Sequence, residues 1–223
     1  MFDQQDVTHH IQRFMLAHLM HYNYARFRDL RPPKVDTNLF SYHLKLLQKA
    51  GYIKKTSNGY TLDRRGLIYI DRVSGERMQL RTQPKIITML LVQDSDGNVL
   101  LQRRGKQPYI DTWTLPYGKL HIDDVSVLAA ARREAWEKLQ FGPLHMRHVG
   151  DCYIRVTNKS EIDSSTLAHV VRFETDEIEA TEHLRWVRPL QLGTILLAPA
   201  VERIVSRAFF GDEFFFDEFE VSA

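Results

Sequence analysis

Glu134 and Glu137 stand three residues apart in the run Arg133-Glu134-Ala135-Trp136-Glu137, with Asp123 and Asp124 shortly before it. Ser126 is placed to cap a helix start, and Leu128, Ala131, Ala135 and Leu139 repeat at the spacing of a core-facing helical stripe. On that helix the two glutamates project from the same side. Adjacent carboxylates repel unless a cation sits between them, and Mg²⁺ with its retained waters suits the arrangement. The sequence therefore offers an acidic helix face that could hold a divalent ion.

The whole stretch from Gly118 to Phe141 resembles the Nudix box, the pyrophosphohydrolase signature of Gly, five residues, Glu, seven residues, Arg-Glu, an aliphatic, any residue, Glu-Glu, any residue, Gly, an aliphatic. The preceding run Trp113-Thr-Leu-Pro116-Tyr-Gly118-Lys119 is similar to the segment that leads into the box in that family. Gly118 lies one residue too far from Arg133, so the first acidic position falls on Val125, or on Asp124 if the loop carries an extra residue. Lys138 stands where the second of the paired glutamates belongs, and Gln140 where the glycine belongs. In the family that second glutamate is a principal metal ligand. A lysine brings an ammonium to the place of the cation, and its spacing lets it pair with Glu134 one turn earlier.

The resemblance implies hydrolysis of a nucleoside diphosphate linked to a variable group, with Mg²⁺ activating water. Glu134 and Glu137 would then be metal ligands, or one of them the general base, and Asp124 or Asp123 an accessory acid. Trp113, Gly118 and Lys119 would border the ligand, and Arg103 and Arg104 offer planar donor forks to its phosphates. The other reading of Arg133 and Glu134 is a structural ion pair that supports the loop before the helix. His121 lies in that loop, and Glu182 falls where some Nudix proteins hold an extra acid. His145, His148, His169 and His183 show no metal-ligand spacing. Trp136 and Trp186 are expected in the core, and no serine or cysteine has the context of a nucleophile.

At 223 residues the chain has room for two domains, and a hydrophobic share of 43% is enough to build both cores. Cys152 is alone, which excludes an intrachain disulfide and suits a reducing compartment. The first residues, MFDQQDVTHH, lack a secretory pattern, and the apolar run from Ile86 to Val92 is too short to span a bilayer, so a cytoplasmic protein with no membrane partner is expected. Residues 1–83 carry 14 Lys+Arg against 7 Asp+Glu, and the remainder 16 against 21. A front of net +7 on a back of net −5 points to a polyanionic partner for the front, or else to a solvated basic surface.

The front half, residues 1–83, reads as helices. Asp6 or Thr8 can cap the first, with Ile11, Phe14, Met15 and Leu19 on its apolar face; a short second one covers Ala25 to Leu30 and stops before Pro32-Pro33. A third starts at Asp36 or Thr37 and ends at Gly51, with Phe40, Leu44 and Leu47 inward and Asn38, Ser41, Tyr42, Lys45 and Lys49 outward. Tyr52 to Lys55, an Asn58-Gly59 turn and Tyr60 to Leu62 read as a hairpin, and Asp63 caps a last helix carrying Leu67 and Ile70. The segment Phe40 to Ile53 is similar to the recognition helix and first wing strand of ArsR- and MarR-like winged helix-turn-helix repressors. That resemblance implies DNA as partner, a homodimer on a palindromic site, the outward face of the third helix in the major groove, and Lys54 and Lys55 on phosphates. Lys45 and Lys49 fit a solvated face equally well, and His43 fits packing against the hairpin.

The polar run Ser74 to Pro84 marks the domain boundary, and residues 84–223 form the second domain. Strands are expected over Lys85–Gln93, Val99–Arg104, Met146–Val156, Leu167–Glu174 and Leu184–Val187, with a closing helix from Pro199 to Phe209. The expected fold class is α+β in two domains, an N-terminal winged helix and a C-terminal Nudix α/β/α sandwich with a mixed sheet. The tail from Phe209 to Phe219 interleaves phenylalanines with acids and is expected to fold back onto the core, or to form a self-association surface. Together the two resemblances imply a DNA-binding transcription regulator whose Nudix-like domain senses a nucleotide or nucleotide-sugar. The alternative is an active Mg²⁺-dependent hydrolase with an accessory winged helix. Regulators of NAD metabolism that join these modules place the Nudix domain first; here the order is reversed, so neither their ligand nor their operator carries over.

Overall fold

A computed structural model describes residues 7–73, 83–159, 161–211 and 213–222. The chain divides into two compact units, Met1–Thr82 and Gln83–Ala223. The polar junction expected over 74–84 falls almost wholly outside the described residues, as does Asp6. Among the described residues, no helix is long and apolar enough to cross a membrane.

In the first unit α1 (His10–His21) is capped not by Thr8 but by His9, whose ring nitrogen accepts from the Ile11 amide at 3.3 Å. Ile11, Met15, Leu16 and Leu19 are buried, whereas Phe14 is 38% exposed. Positions 14 and 16 flank the stripe that 11, 15 and 19 define, and it is the Leu16 flank that faces the core. Ala25 is not helical: it pairs with Tyr60 through two 2.9 Å backbone bonds, and α2 starts only at Phe27 (Phe27–Leu30). Asp36 caps α3 (Thr37–Lys49) by accepting from the amides of Asn38 and Leu39, and those bonds hold its carboxyl below the usual range. Gly51 then takes the left-handed φ of 76° that ends the helix.

The hairpin of β1 (Ile53–Thr56) and β2 (Gly59–Leu62) is antiparallel, with Ile53 opposite Leu62. Phe40, Leu44, Leu47, Ile53 and Leu62 close one core with α1. His43 is buried against His9, the rings stacked at 3.9 Å, and burial lowers its pKa. On α4 (Arg64–Arg72), capped by Asp63, Ile70 packs onto the core while Leu67 stays exposed.

The second unit is a mixed sheet between two helices. Among the described residues its eight strands are β3 (Lys85–Gln93), β4 (Val99–Arg103), β5 (Trp113–Thr114), β6 (Tyr117–Lys119), β7 (Arg147–Asn158), β8 (Glu161–Glu174), β9 (Leu184–Val187) and β10 (Phe215–Ser222). They run in the order β10-β7-β8-β3-β4-β5, with β6 on β3 and β9 on β4. Alternation along β3 assigns the faces. Leu90 and Val92 meet Ala131, Ala135 and Leu139 of α5 (Val127–Leu139). Ile87, Met89 and Leu91 meet Val201, Ile204, Val205 and Ala208 of α6 (Val201–Phe210). The strand is apolar on both faces because both are covered.

Two expectations are corrected in the second unit. β8 begins at Glu161 rather than Leu167, because its polar first half pairs with the end of β7, whose other edge is held by β10. Trp136 is 59% exposed, since the stripe through Leu139, Ala135 and Ala131 leaves position 136 on the outer side of α5. Trp186 packs beside that cluster with its indole N–H donating to the Ile178 carbonyl at 2.8 Å. The phenylalanine tail folds back as expected but does so as strand β10, parallel to β7, burying Phe215 and Phe219 and leaving Phe214 and Phe216 exposed.

All three tryptophans, Trp113, Trp136 and Trp186, belong to the second unit, so their fluorescence reports its unfolding alone. In urea titrations followed this way, Phe219→Ala is expected to cost about 3 kcal/mol. Phe216→Ala is expected to change stability by less than about 0.5 kcal/mol.

Candidate functional site

Ser126 starts α5 by accepting from the Ala129 amide at 3.1 Å, so Arg133, Glu134 and Glu137 lie along its first three turns. Arg133 is the centre of the arrangement. Its Nε and Nη2 donate to the two oxygens of Asp124 at 3.0 and 2.8 Å, and Nη2 also reaches the Lys119 carbonyl at 3.0 Å. Its Nη1 bonds Glu134 Oε1 at 2.6 Å and Glu137 Oε1 at 3.4 Å. Asp124 further accepts from the His121 amide at 2.8 Å. One guanidinium thus ties the loop after β6 to the helix and stands between the two glutamates.

The electrostatics follow from those contacts. The Arg133 guanidinium holds the Asp124 carboxyl down to about 2, with the His121 amide helping, while Asp124 and then Glu134 raise the pKa of Arg133. Asp124 was a candidate metal ligand; both its oxygens are taken by Arg133, so it anchors the loop instead. Of the two registers open for the first acidic position, the one on Asp124 makes this contact, and Val125 is 92% exposed.

Glu134 is buried, with Oε2 unpartnered. Its carboxylate lies against Gly118 so closely that a Cβ there would sit 1.7 Å from Glu134 Cδ. Gly118 is required by this approach of backbone and carboxylate. Glu137 is half exposed. Lys138 is exposed and, among the described residues, makes no ion pair; the expected Lys138–Glu134 pair is replaced by Arg133–Glu134. Gln140, at the signature's glycine position, takes φ 52° and ψ 32° as the left-handed end of α5, and its side-chain amide donates to the Trp136 carbonyl.

The other predicted ligand residues are only partly gathered there. Lys119 is exposed beside Gly118. Arg103 is paired with Asp111 at 2.9 Å. Arg104 does not present a free fork: its Nε and Nη2 donate to the Pro108 carbonyl at 2.9 and 2.6 Å, and Nη1 bonds the Tyr117 hydroxyl. Trp113 packs into the α6-side core, tied by its backbone to Leu196 and Ala198, and not against α5. Asp123 and His121 are exposed, and Glu182 is exposed beside His183. Cys152 is buried on the α6 side, which pushes its thiol up to about 12. On the first unit, Asn38, Tyr42, Lys45 and Lys49 of α3 and Lys54 and Lys55 of the hairpin are exposed, and Ser41 is half-buried.

The donor set does not fit Mg²⁺. The two glutamates share a guanidinium, the free oxygen of Glu134 is shut away from water, and a third carboxylate is replaced by an ammonium. Mg²⁺ needs carboxylate oxygens with room for several waters.

The NUDIX domain family model matches residues 83–209. No curated protein matches the chain. Among solved structures, the mMutator MutT protein from Bacillus halodurans is similar at 20% identity and TM-score 0.52, over 62% of this chain and 90% of that one. The NUDIX domain of Shewanella oneidensis NrtR, complexed with ADP ribose, is similar at 15% identity and TM-score 0.48, over 63% of this chain and 94% of that one. The likeness to the MutT protein speaks to the fold alone.

Two predictions follow the local physics. Gln140→Gly removes the penalty of a left-handed side-chain residue and is expected to stabilise the second unit by about 0.5–1 kcal/mol in urea. Asp124 has a folded pKa of about 2, below the unfolded value of about 3.9. Its stabilisation is therefore present above about pH 4 and lost as pH falls toward 2. Asp124→Asn should melt below the wild type at pH 7 by tryptophan fluorescence, with the difference closing as pH falls through that window.

Proposed function

The chain belongs to the Nudix domain family, and from that premise we propose that it is a DNA-binding transcription regulator whose Nudix domain senses a nucleotide or nucleotide-sugar, with weak or no hydrolysis. The observation that carries this reading is Lys138, exposed on α5 where the family's signature has a metal-binding glutamate. The two remaining glutamates are already bridged by Arg133. A site so arranged leaves the exposed ammonium groups of Lys119 and Lys138 for a phosphate while lacking the acids that would hold a catalytic ion.

The first unit supports the other half of the reading. Three helices, an antiparallel hairpin and a fourth helix come in the order that a winged helix would have. Asn38, Ser41, Tyr42, Lys45 and Lys49 would face base edges in the major groove, and Lys54 and Lys55 phosphates, with a homodimer on a two-fold site. The basic balance of residues 1–83 suits that partner.

A second reading, an Mg²⁺-dependent pyrophosphohydrolase, rests on Glu134 and the half-exposed Glu137 sharing one face of α5, and would require Arg133 to release them. One experiment separates the two: ADP-ribose, a nucleoside diphosphate sugar, is titrated into the protein with and without Mg²⁺ and the products are assayed. Metal-independent binding without turnover is expected, unchanged in Glu137→Gln. Mg²⁺-dependent turnover lost in that variant would establish the hydrolase. On non-specific duplex DNA, the slope of log affinity against log salt should fall by about 1 for each of Lys54→Ala and Lys55→Ala. An unchanged slope removes the wing from the interface.

A further inference from the structure

His148, Asp151 and His169 meet on the α5 face of the sheet. His148 Nε2 lies 2.7 Å and His169 Nδ1 2.6 Å from the same oxygen, Asp151 Oδ1. All three donor atoms fall within 4.8 Å of one another, and the side chains are between 15% and 27% exposed. Asp151 and His169 are register partners across β7 and β8. His148 is three residues from Asp151, a spacing that puts two strand residues on opposite faces. The register shift between His148 and Gly150 inserts one residue and turns both to the same side.

The trio continues the row of the acidic helix. His169 is opposite Thr88, and Thr88 is opposite Gly118, against which Glu134 lies. Thr88 between them is buried with its hydroxyl unpartnered. At the other side β10 closes the flank, with the Phe214 ring edge-on to His148 at 5.2 Å.

We propose that His148, Asp151 and His169 form a binding site for a divalent transition-metal ion of the zinc class, separate from the glutamates of α5. Two imidazoles and one carboxylate are donors of the right hardness for Zn²⁺, Co²⁺ or Ni²⁺, and poor ones for Mg²⁺. Zinc takes such donors at about 2.0–2.2 Å, which separates tetrahedral donors by about 3.3 Å. To reach that spacing from both rings Asp151 Oδ1 has to withdraw by less than about 1 Å, with the two ring nitrogens adjusting from a separation of at most 4.8 Å. Without the ion each ring turns an N–H toward the carboxylate. With it those nitrogens offer lone pairs, and a neutral ring carries its proton on the outer nitrogen, which has no partner among the described residues. Three protein donors leave at least one position on the ion open to water or an anion.

The test uses the full chain, dialysed against chelator, and needs neither DNA nor nucleotide. Zn²⁺ is titrated calorimetrically, and Co²⁺ absorption gives the coordination number. His148→Gln and His169→Asn place an amide N–H where the ring N–H stood, so the bond to Asp151 survives while the imidazole ligand is lost. The wild type is expected to bind one equivalent that both variants bind more than about tenfold more weakly, at unchanged metal-free melting temperature. A four- or five-coordinate Co²⁺ spectrum should vanish with it. No binding by the wild type, or the same equivalent retained in both variants, overturns the site and leaves a hydrogen-bonded triad. Should a variant fail to fold, Asp151→Asn, read by the same Co²⁺ spectrum, decides between those outcomes.

Discussion

The second unit depends on one guanidinium. Arg133 gathers three carboxylates and a backbone carbonyl, and each contact has a structural consequence. Through Asp124 and Lys119 it fastens the loop that leads from β6 into α5. Through Glu134 it neutralises a buried acid that would otherwise stand alone beneath Gly118. Taking one partner away from such a buried pair costs about 3–5 kcal/mol, because the other charge is left without water or counterion. The arrangement thus serves the fold first. The same cation limits the chemistry of α5, because it already occupies the place between Glu134 and Glu137.

The sheet sets the distances between everything else. Alternation along β3 sends odd positions to α6 and even ones to α5, so a row of paired residues crosses the sheet on a single face. Gly118, Thr88, His169 and Asp151 make up that row. An acidic helix and a histidine–aspartate trio are neighbours for this reason, although they come from segments far apart in the chain. β10 extends the sheet beyond β7 and covers Gly150 with the Phe215 ring, so the chain's last strand supports the edge that carries His148 and Asp151.

In the proposed regulator, the two units divide the work by charge. A basic first unit suits a polyanion, and in the acidic second unit the exposed ammonium groups of Lys119 and Lys138 suit a small phosphate-bearing ligand. Coupling between them would require the ligand to bind one arrangement of the units better than another, a difference in affinity rather than in contact alone.

The sequence by itself determined the elements with strong local signals. The apolar stripe and Ser126 cap of α5, the Asp36 cap and Gly51 stop of α3, the Asn58-Gly59 hairpin and the apolar run of β3 were all legible, because each is set by residues within a few positions. The acidic helix and its Arg133 were legible too. What only the tertiary structure decided depends on partners distant in the chain or on a break in periodicity. Asp124 became the anchor of a loop and Arg104 a clamp on its own turn. Trp136 was left outside, and the acidic, aromatic tail became a strand because β7 offered a free edge. His148 and Asp151 are three apart in one strand, a spacing of opposite faces that one inserted residue brings into phase, and His169 reaches them across a neighbouring strand. Spacing along a chain encodes helix faces and turns well; cross-strand register and bulges are set by pairing, which no local pattern carries.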